Sequence, residues 1–211
     1  MIKNNVTIDL AYYFCIMNYN SSITGIILAG GYSKRFGEEK GLYELRGKKL
    51  IEYAIDILKP LCDDIIISTN NPKAYSSKSL KTITDIHTGC GPLGGIHAGL
   101  SHTSTKDNLF IGCDMPLLPT ALFKEFIDKS KNYQAVVAKH GSYTETMATY
   151  FNKNSLPVLE KAIKRNNLAV FEAIKPLKVF YLNVENHKFY NEHIFININS
   201  KDDINKIQTL P

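Results

Sequence analysis

The chain has 211 residues, with 25 Lys and Arg against 20 Asp and Glu, giving a formal net charge of +5. Hydrophobic residues make up 44% and charged residues 21%, which is globular composition and excludes disordered and fibrous classes. No block of five basic residues marks a nucleic-acid tail, and the modest positive surplus suits a small anionic ligand equally well. A single domain of roughly 150–200 residues buries a core without a disulfide or metal staple. The cysteines Cys15, Cys62, Cys90 and Cys113 form no C-x-x-C pair, so no zinc ribbon or dithiol redox motif is present. Their wide spacing fits free thiols in a reducing compartment, the cytosol.

Residues 1–23 read as an N-terminal extension. The apolar run Ile8–Met17 contains Asp9 and is too short to span a bilayer. It lacks a small-residue cleavage site. An added strand, or a translated leader upstream of a start at Met17, accounts for it.

From Thr24 onward strand and helix patterns alternate. Gly25–Leu28, Asp64–Thr69, Lys81–Thr84 and Asn108–Gly112 read as strands, three of them short apolar runs of the buried parallel kind. Leu50–Leu61 carries a helical stripe that Pro60 ends, and Pro92–Ser101 reads as a helix entered through a glycine-rich loop. Thr120 is expected to cap a helix over Ala121–Lys131. Ala135–Ala138, Glu145–Phe151 and Lys178–Asn183 read as further strands, and Ser155–Arg165 and Ala169–Ile174 as helices. Ser200, followed by Asp202 and Asp203, opens a last helix. This alternation predicts an α/β domain over residues 24–211 with a mostly parallel central sheet and helices on both faces.

Ligands in such sheets bind beyond the carboxyl ends of the strands. Four polar segments fall there: Ala29–Lys40, Ser68–Asn71, Asp85–Gly95 and Cys113–Pro116. In the first, Gly30 and Gly31 let the backbone approach phosphate oxygens, Ser33 adds a hydroxyl, and Arg35 and Lys40 add cations. The spacing is not that of a Walker A loop. In the last, Asp114 ends an apolar strand, and a carboxylate beside phosphates calls for a cation, here Mg²⁺. Gly89–Gly94 contains G-x-G-x-x-G, with Asp114 following at the interval of a dinucleotide fingerprint. An NAD(P)-binding reading leaves the Gly30–Lys40 loop without a role, however. The histidines show no metal-ligand spacing, and Ser33 lacks a hydrolase-elbow context.

Together T-G-I-I-L-A-G-G-x-S-x-R-F-G (24–37), E-K-G-L (39–42), G-P-L-G-G-I (91–96), C-D-M-P (113–116) and N-I-N-S-K-D-D-I (197–204) resemble the molybdenum cofactor guanylyltransferases, the MobA family of nucleotidyltransferases. The resemblance implies a Rossmann-like three-layer sandwich of the nucleotide-diphospho-sugar transferase type. It implies transfer of GMP from GTP to the terminal phosphate of molybdopterin, with Mg²⁺, releasing pyrophosphate. It places Leu28, Ala29, Gly30, Gly31, Ser33, Ser68, Asn70 and Asp85 at the nucleotide, and Lys40, Arg35 and Asp114 at the phosphates and metal. Gly91, Pro92, Leu93, Asn197 and Asn199 fall on the pterin side. Transient contacts with cofactor-assembly proteins and apo-molybdoenzymes follow as expected partners, and neither nucleic acid nor membrane does. Cytidylyl- and sugar-phosphate nucleotidyltransferases are the related alternative. Ser68 departs from an asparagine common at that position, and Asn199-Ser200-Lys201-Asp202 departs from N-T-P-E.

Overall fold

The computed structural model describes residues 22–30, 32–33 and 38–208. The proposed N-terminal extension lies outside them, apart from Ser22 and Ile23. So do Gly31 and Arg35.

Among the described residues seven strands build the central sheet: β1 (Ile23–Leu28), β2 (Asp64–Ser68), β3 (Lys81–Ile83), β4 (Asp107–Gly112), β5 (Ala135–His140), β6 (Tyr143–Asn152) and β7 (Val179–Asn183). Their order across the sheet is β7-β5-β6-β4-β1-β2-β3. Every neighbouring pair is parallel except those made by β6, which runs against both β4 and β5. The mostly parallel sheet expected from the alternating pattern is therefore present.

The flanking helices are α1 (Leu50–Leu58), α2 (Gly91–His102), α3 (Thr120–Lys129), α4 (Leu156–Lys164), α5 (Val170–Ile174) and α6 (Lys201–Gln208). Strand side chains alternate between two cores, as the pleat requires. Ile23, Ile27, Ile65, Ile67, Leu109, Ile111, Val136 and Ala138 pack with α1 and α3 on one face. Ile26, Leu28, Phe110, Ala135, Val137 and Phe151 pack with α2, α4 and α5 on the other. The strands with helices over both faces are buried throughout: every residue of β1 and β4 is buried, the polar Thr24, Asp107 and Asn108 among them. A third, smaller cluster joins Leu45, Leu50, Ile198, Ile204 and Ile207, and so fastens α6 beside the start of α1.

Local chemistry sets the helix boundaries. The first turn of α1 is closed by Glu52, whose Oε2 accepts from Lys49 N at 2.8 Å and whose Oε1 accepts from Lys78 Nζ at 2.7 Å. Asp203 N donates to Ser200 Oγ at 3.3 Å, so Ser200 opens α6 as expected. The expectation for Thr120 is corrected. Pro119 occupies the cap position of α3, and the Thr120 hydroxyl donates instead to Ile57 O at 3.1 Å, tying α3 to α1.

Register determines where the site falls. Leu28 pairs with Ser68 on one side and Gly112 on the other, and Ser68 pairs with Ile83. β1 to β4 thus end level at one edge of the sheet. The chain leaves β1 for β2 on one flank and reaches β4 on the other, so that edge is a topological switch point.

Helix α2 reaches the sheet through Gly99, where an added Cβ stands 2.8 Å from Phe110 Cε1 and 3.1 Å from Ile26 Cγ2, both fully buried. Gly99→Ala gains about 1 kcal/mol of helix propensity. It overpacks a stiff contact at a cost of about 1–3 kcal/mol. A net loss of stability, read from urea unfolding with unchanged m-value, is expected.

Candidate active site

At the level row of strand ends, Lys40 is the centre. Its Nζ donates to Asp114 Oδ2 at 2.7 Å and to Asn199 Oδ1 at 2.8 Å. Residues 74 and 159 positions apart in the chain thus meet at one ammonium. An ammonium has three N–H groups, and two are committed here. Both charged side chains of the pair are less than one-fifth exposed, so solvent screens them only partly.

Each partner is placed from its own element. Asp114 follows β4 directly, and Gly112 makes room for it: an added Cβ at Gly112 stands 2.7 Å from Asp114 Oδ1. Cys113 N donates to Leu28 O at 3.1 Å, which carries the β1–β4 ladder one residue past the strand. Asn199 belongs to an irregular segment whose Ile198 N donates to Asp114 O at 2.9 Å. Asp203 Oδ2 accepts from Asn199 N at 2.9 Å and from Ser200 Oγ at 2.9 Å. Burial pushes the Asp203 carboxyl up, but these bonds outweigh it and hold the group below the usual carboxylate range.

Lys40 begins a short 3-10 turn, Lys40–Leu42, packed on Tyr75. An added Cβ at Gly41 stands 2.6 Å from Tyr75 Oη and 3.2 Å from its Cε1. The glycine after the lysine is therefore required by a fully buried tyrosine. The residue before it, Glu39, accepts from Asn71 Nδ2 at 3.0 Å, which links the turn to the loop after β2.

On the β2–β3 flank, Asn70 and Asp85 hold each other. Asn70 Nδ2 donates to Asp85 Oδ2 at 2.8 Å, and Asp85 N donates to Asn70 Oδ1 at 3.2 Å. The start of α2 presses on the same place. An added Cβ at Gly95 stands 3.0 Å from Leu28 Cδ2 and 3.2 Å from Ser68 Oγ, and one at Gly94 stands 3.5 Å from Asp85 Cγ. Ala29 N donates to Ser68 O at 2.9 Å, and Ser68 is buried. Leu28, Ala29, Ser68, Asn70 and Asp85 are thus gathered on one flank, with Gly30 exposed at the mouth.

The five residues expected on the pterin side stand in two places. Gly91, Pro92 and Leu93 open α2, on the flank of Asp85, whereas Asn197 and Asn199 lie in the segment beside Asp114. Of Ser33 only the backbone is described, in a two-residue strand (Tyr32–Ser33) paired with Glu38–Glu39. Motif reading missed Gly112, Glu39, Tyr75 and Asp203. G-C-D and K-G-L held the signals for Gly112 and Tyr75, since a glycine beside a functional side chain marks a close approach.

Cys113 and Cys62 are held as neutral thiols. Burial, and then the neighbouring Asp114, push the Cys113 thiol well above its ordinary range, and burial pushes Cys62 up to about 12. Burial and then the adjacent His87 ring, 4.9 Å away, disfavour the charged form of His97. Among the described residues no group of three His, Cys, Asp or Glu side chains gathers to hold a metal ion.

A switch-point site with an acid and an ammonium, on a three-layer αβα sandwich, defines an α/β protein of the nucleotidyltransferase type. The chain belongs to the MobA-like NTP transferase domain family, whose model matches residues 25–177. A probable molybdenum cofactor guanylyltransferase of Flavobacterium johnsoniae is 34% identical over 187 residues, covering 88% of this chain and 96% of that protein. A protein of the same description from Pelotomaculum thermopropionicum is 29% identical over 189 residues, covering 89% and 92%. The crystal structure of molybdopterin-guanine dinucleotide biosynthesis protein A from Archaeoglobus fulgidus superposes with a TM-score of 0.74 at 29% identity, covering 87% of this chain and 95% of that one. A manganese complex of a Mycobacterium tuberculosis protein, 15% identical with a TM-score of 0.66 over 90% of this chain and all of that one, shares the fold.

Gly41→Ala is expected to cost about 1–3 kcal/mol through overpacking. Adding Tyr75→Phe removes the hydroxyl nearest the new methyl and recovers part of that loss. A double-mutant cycle in urea measures the coupling, and additive effects would show that the two residues do not clash.

Proposed function

We propose that this chain transfers GMP from GTP to the terminal phosphate of molybdopterin and releases pyrophosphate. The observation that carries the reading is the convergence of Lys40, Asp114 and Asn199 at the switch point, in a chain whose relatives are described as molybdenum cofactor guanylyltransferases. Cytoplasmic location and passing contacts with other cofactor-assembly proteins and apo-molybdoenzymes belong to the same proposal. Among the described residues no helix is long and apolar enough to cross a membrane.

The reaction needs no protein nucleophile. An oxygen of the acceptor phosphate attacks the α-phosphorus of GTP, a new P–O–P link forms, and the bond to the β-phosphate oxygen breaks with its electrons leaving on pyrophosphate. Catalysis is then positioning and charge neutralisation. Lys40, with one N–H beyond those given to Asp114 and Asn199, donates to a phosphate oxygen and offsets charge on the leaving group. Arg35, on its place in the sequence, is assigned the same work from the glycine-rich loop, beside Gly31 and Ser33. Asn70 aims Asp85, and the two hold the nucleoside side together with Leu28, Ala29, Gly30 and Ser68.

Asp114 is a hard oxygen donor at a strand end and, with Oδ2 given to Lys40, would hold a divalent ion. We assign that ion as Mg²⁺. It supplies Lewis-acid stabilisation of charge on the transferred and leaving phosphates.

Asp114→Asn is expected to lose Mg²⁺-dependent pyrophosphate release by at least about 10²-fold while keeping its circular dichroism and melting cooperativity. Normal turnover would remove Asp114 from the metal. Lys40→Ala should lower the rate by about 10²–10³, and an unchanged rate would return Lys40 to a structural role. GTP and CTP, offered side by side with molybdopterin, test nucleotide choice: pyrophosphate from CTP alone would favour the cytidylyl alternative.

A further inference from the structure

Beyond Asp114 the sheet continues into β6, β5 and β7, whose edge beside the site has no role in the chemistry above. Here β5 turns into β6 through Gly141 and Ser142, with Gly141 at φ 52°, so His140 and Tyr143 become direct cross-strand partners. Their rings are stacked, 5.7 Å between centroids and 26° between planes. The His140 ring is also stacked on buried Phe195, at 4.7 Å and 11°. Glu145 Oε1 accepts from His140 Nε2 at 3.0 Å and locks the imidazole in that plane. Glu185 Oε1 accepts from Gly141 N at 3.1 Å and holds the turn against β7. The result is a rigid set of near-parallel rings ending in Tyr143, which is 69% exposed.

An exposed tyrosine backed by ordered rings offers a flat π face to a ligand, at little entropic cost. Its position selects the ligand. Phe195 and Asn199 are four Cα-to-Cα steps apart along irregular chain, a reach of at most ~14 Å. Along the way Ile198 bonds the backbone of Asp114. The rings and the Lys40–Asp114–Asn199 centre are therefore held on one strap. The nucleoside-side residues stand over β1–β3, on the other side of Asp114. In-line displacement requires the attacking oxygen to arrive opposite the departing pyrophosphate, so the second substrate comes from the flank that the nucleotide leaves open.

We propose that Tyr143, backed by a His140 ring that is itself stacked on Phe195, binds the flat heteroaromatic ring of the phosphorylated acceptor, which on the reading above is the pterin of molybdopterin. Glu145 gives Oε1 to His140, and its Oε2 would serve as a hydrogen-bond acceptor suited to the amino and ring N–H edge of a pterin. The motif residues Asn197 and Asn199 then lie between the ring platform and the reacting phosphates.

The test is a fluorescence titration of the full chain with metal-free molybdopterin, in parallel with GTP binding by calorimetry and with pyrophosphate release. Tyr143→Ala, on an exposed turn, is expected to weaken molybdopterin binding by about tenfold or more, as loss of a stacking face does. Tyr143→Phe should keep it, and both should bind GTP as the unsubstituted chain does. Undiminished molybdopterin binding by Tyr143→Ala overturns the platform while leaving guanylyl transfer standing. If the unsubstituted chain binds molybdopterin through Tyr143 but releases no pyrophosphate from GTP, the transfer reading fails and the platform stands. If it binds no molybdopterin at all, both fail.

Discussion

One ammonium organises this site. Lys40 draws a carboxylate from the end of β4 and an amide from the C-terminal segment onto a single nitrogen, and neither partner is near it in the chain. Around that contact the supports are local and physical. Gly112 has no side chain to crowd Asp114, Gly41 has none to meet Tyr75, and Asp203 holds the backbone of Asn199. A charge pair of this kind, partly withdrawn from water, is worth more as a positioning device than as a source of stability.

The sheet makes the convergence possible. Because β1, β2, β3 and β4 are parallel and end level, the loops that follow them leave from one edge. β5 brings the chain to that edge, and the reversed strand, β6, carries it away again, so their shared turn sits there. The Lys40–Asp114 pair therefore has a flank on either side. One carries Ser68, Asn70, Asp85 and the start of α2; the other carries Tyr143, His140 and the strap from Phe195 to Asn199. A reaction that joins two phosphorylated molecules needs two approaches to one centre, and the proposed function assigns one flank to each.

The helices do the remaining work through close contact. Glycines at positions 94, 95 and 99 let α2 lie close against side chains of β1, β2, β4 and the loop after β3. The same closeness brings the first turn of α2 to Asp85 and Ser68, so the packing of the core and the shape of this flank are one feature. This explains why G-P-L-G-G-I resembles a dinucleotide fingerprint: both use glycine to bring a helix start near a ligand edge. Here the G-x-G-x-x-G match does not follow a strand directly, because Thr84–Thr88 intervenes.

Much of this was legible before folding was considered. Apolar runs, glycine pairs and helical stripes located the strands of the parallel half and most helices to within one or two residues, because burial on both faces leaves little freedom of composition. The polar segments at strand ends named Lys40, Ser68, Asn70, Asp85 and Asp114 for a related reason: polar side chains in the loops beyond buried strands gather at one edge of the sheet. Tertiary structure alone decided which of these touch. It paired Asn70 with Asp85, moved Thr120 from a cap to a bond with Ile57, and placed Gly91–Leu93 apart from Asn197 and Asn199. It also stacked Tyr143, His140 and Phe195, which the sequence scatters among ordinary packing aromatics. Local sequence specifies backbone shape and burial through short-range periodicity. Contacts between distant side chains depend on strand order and register, which no local pattern encodes.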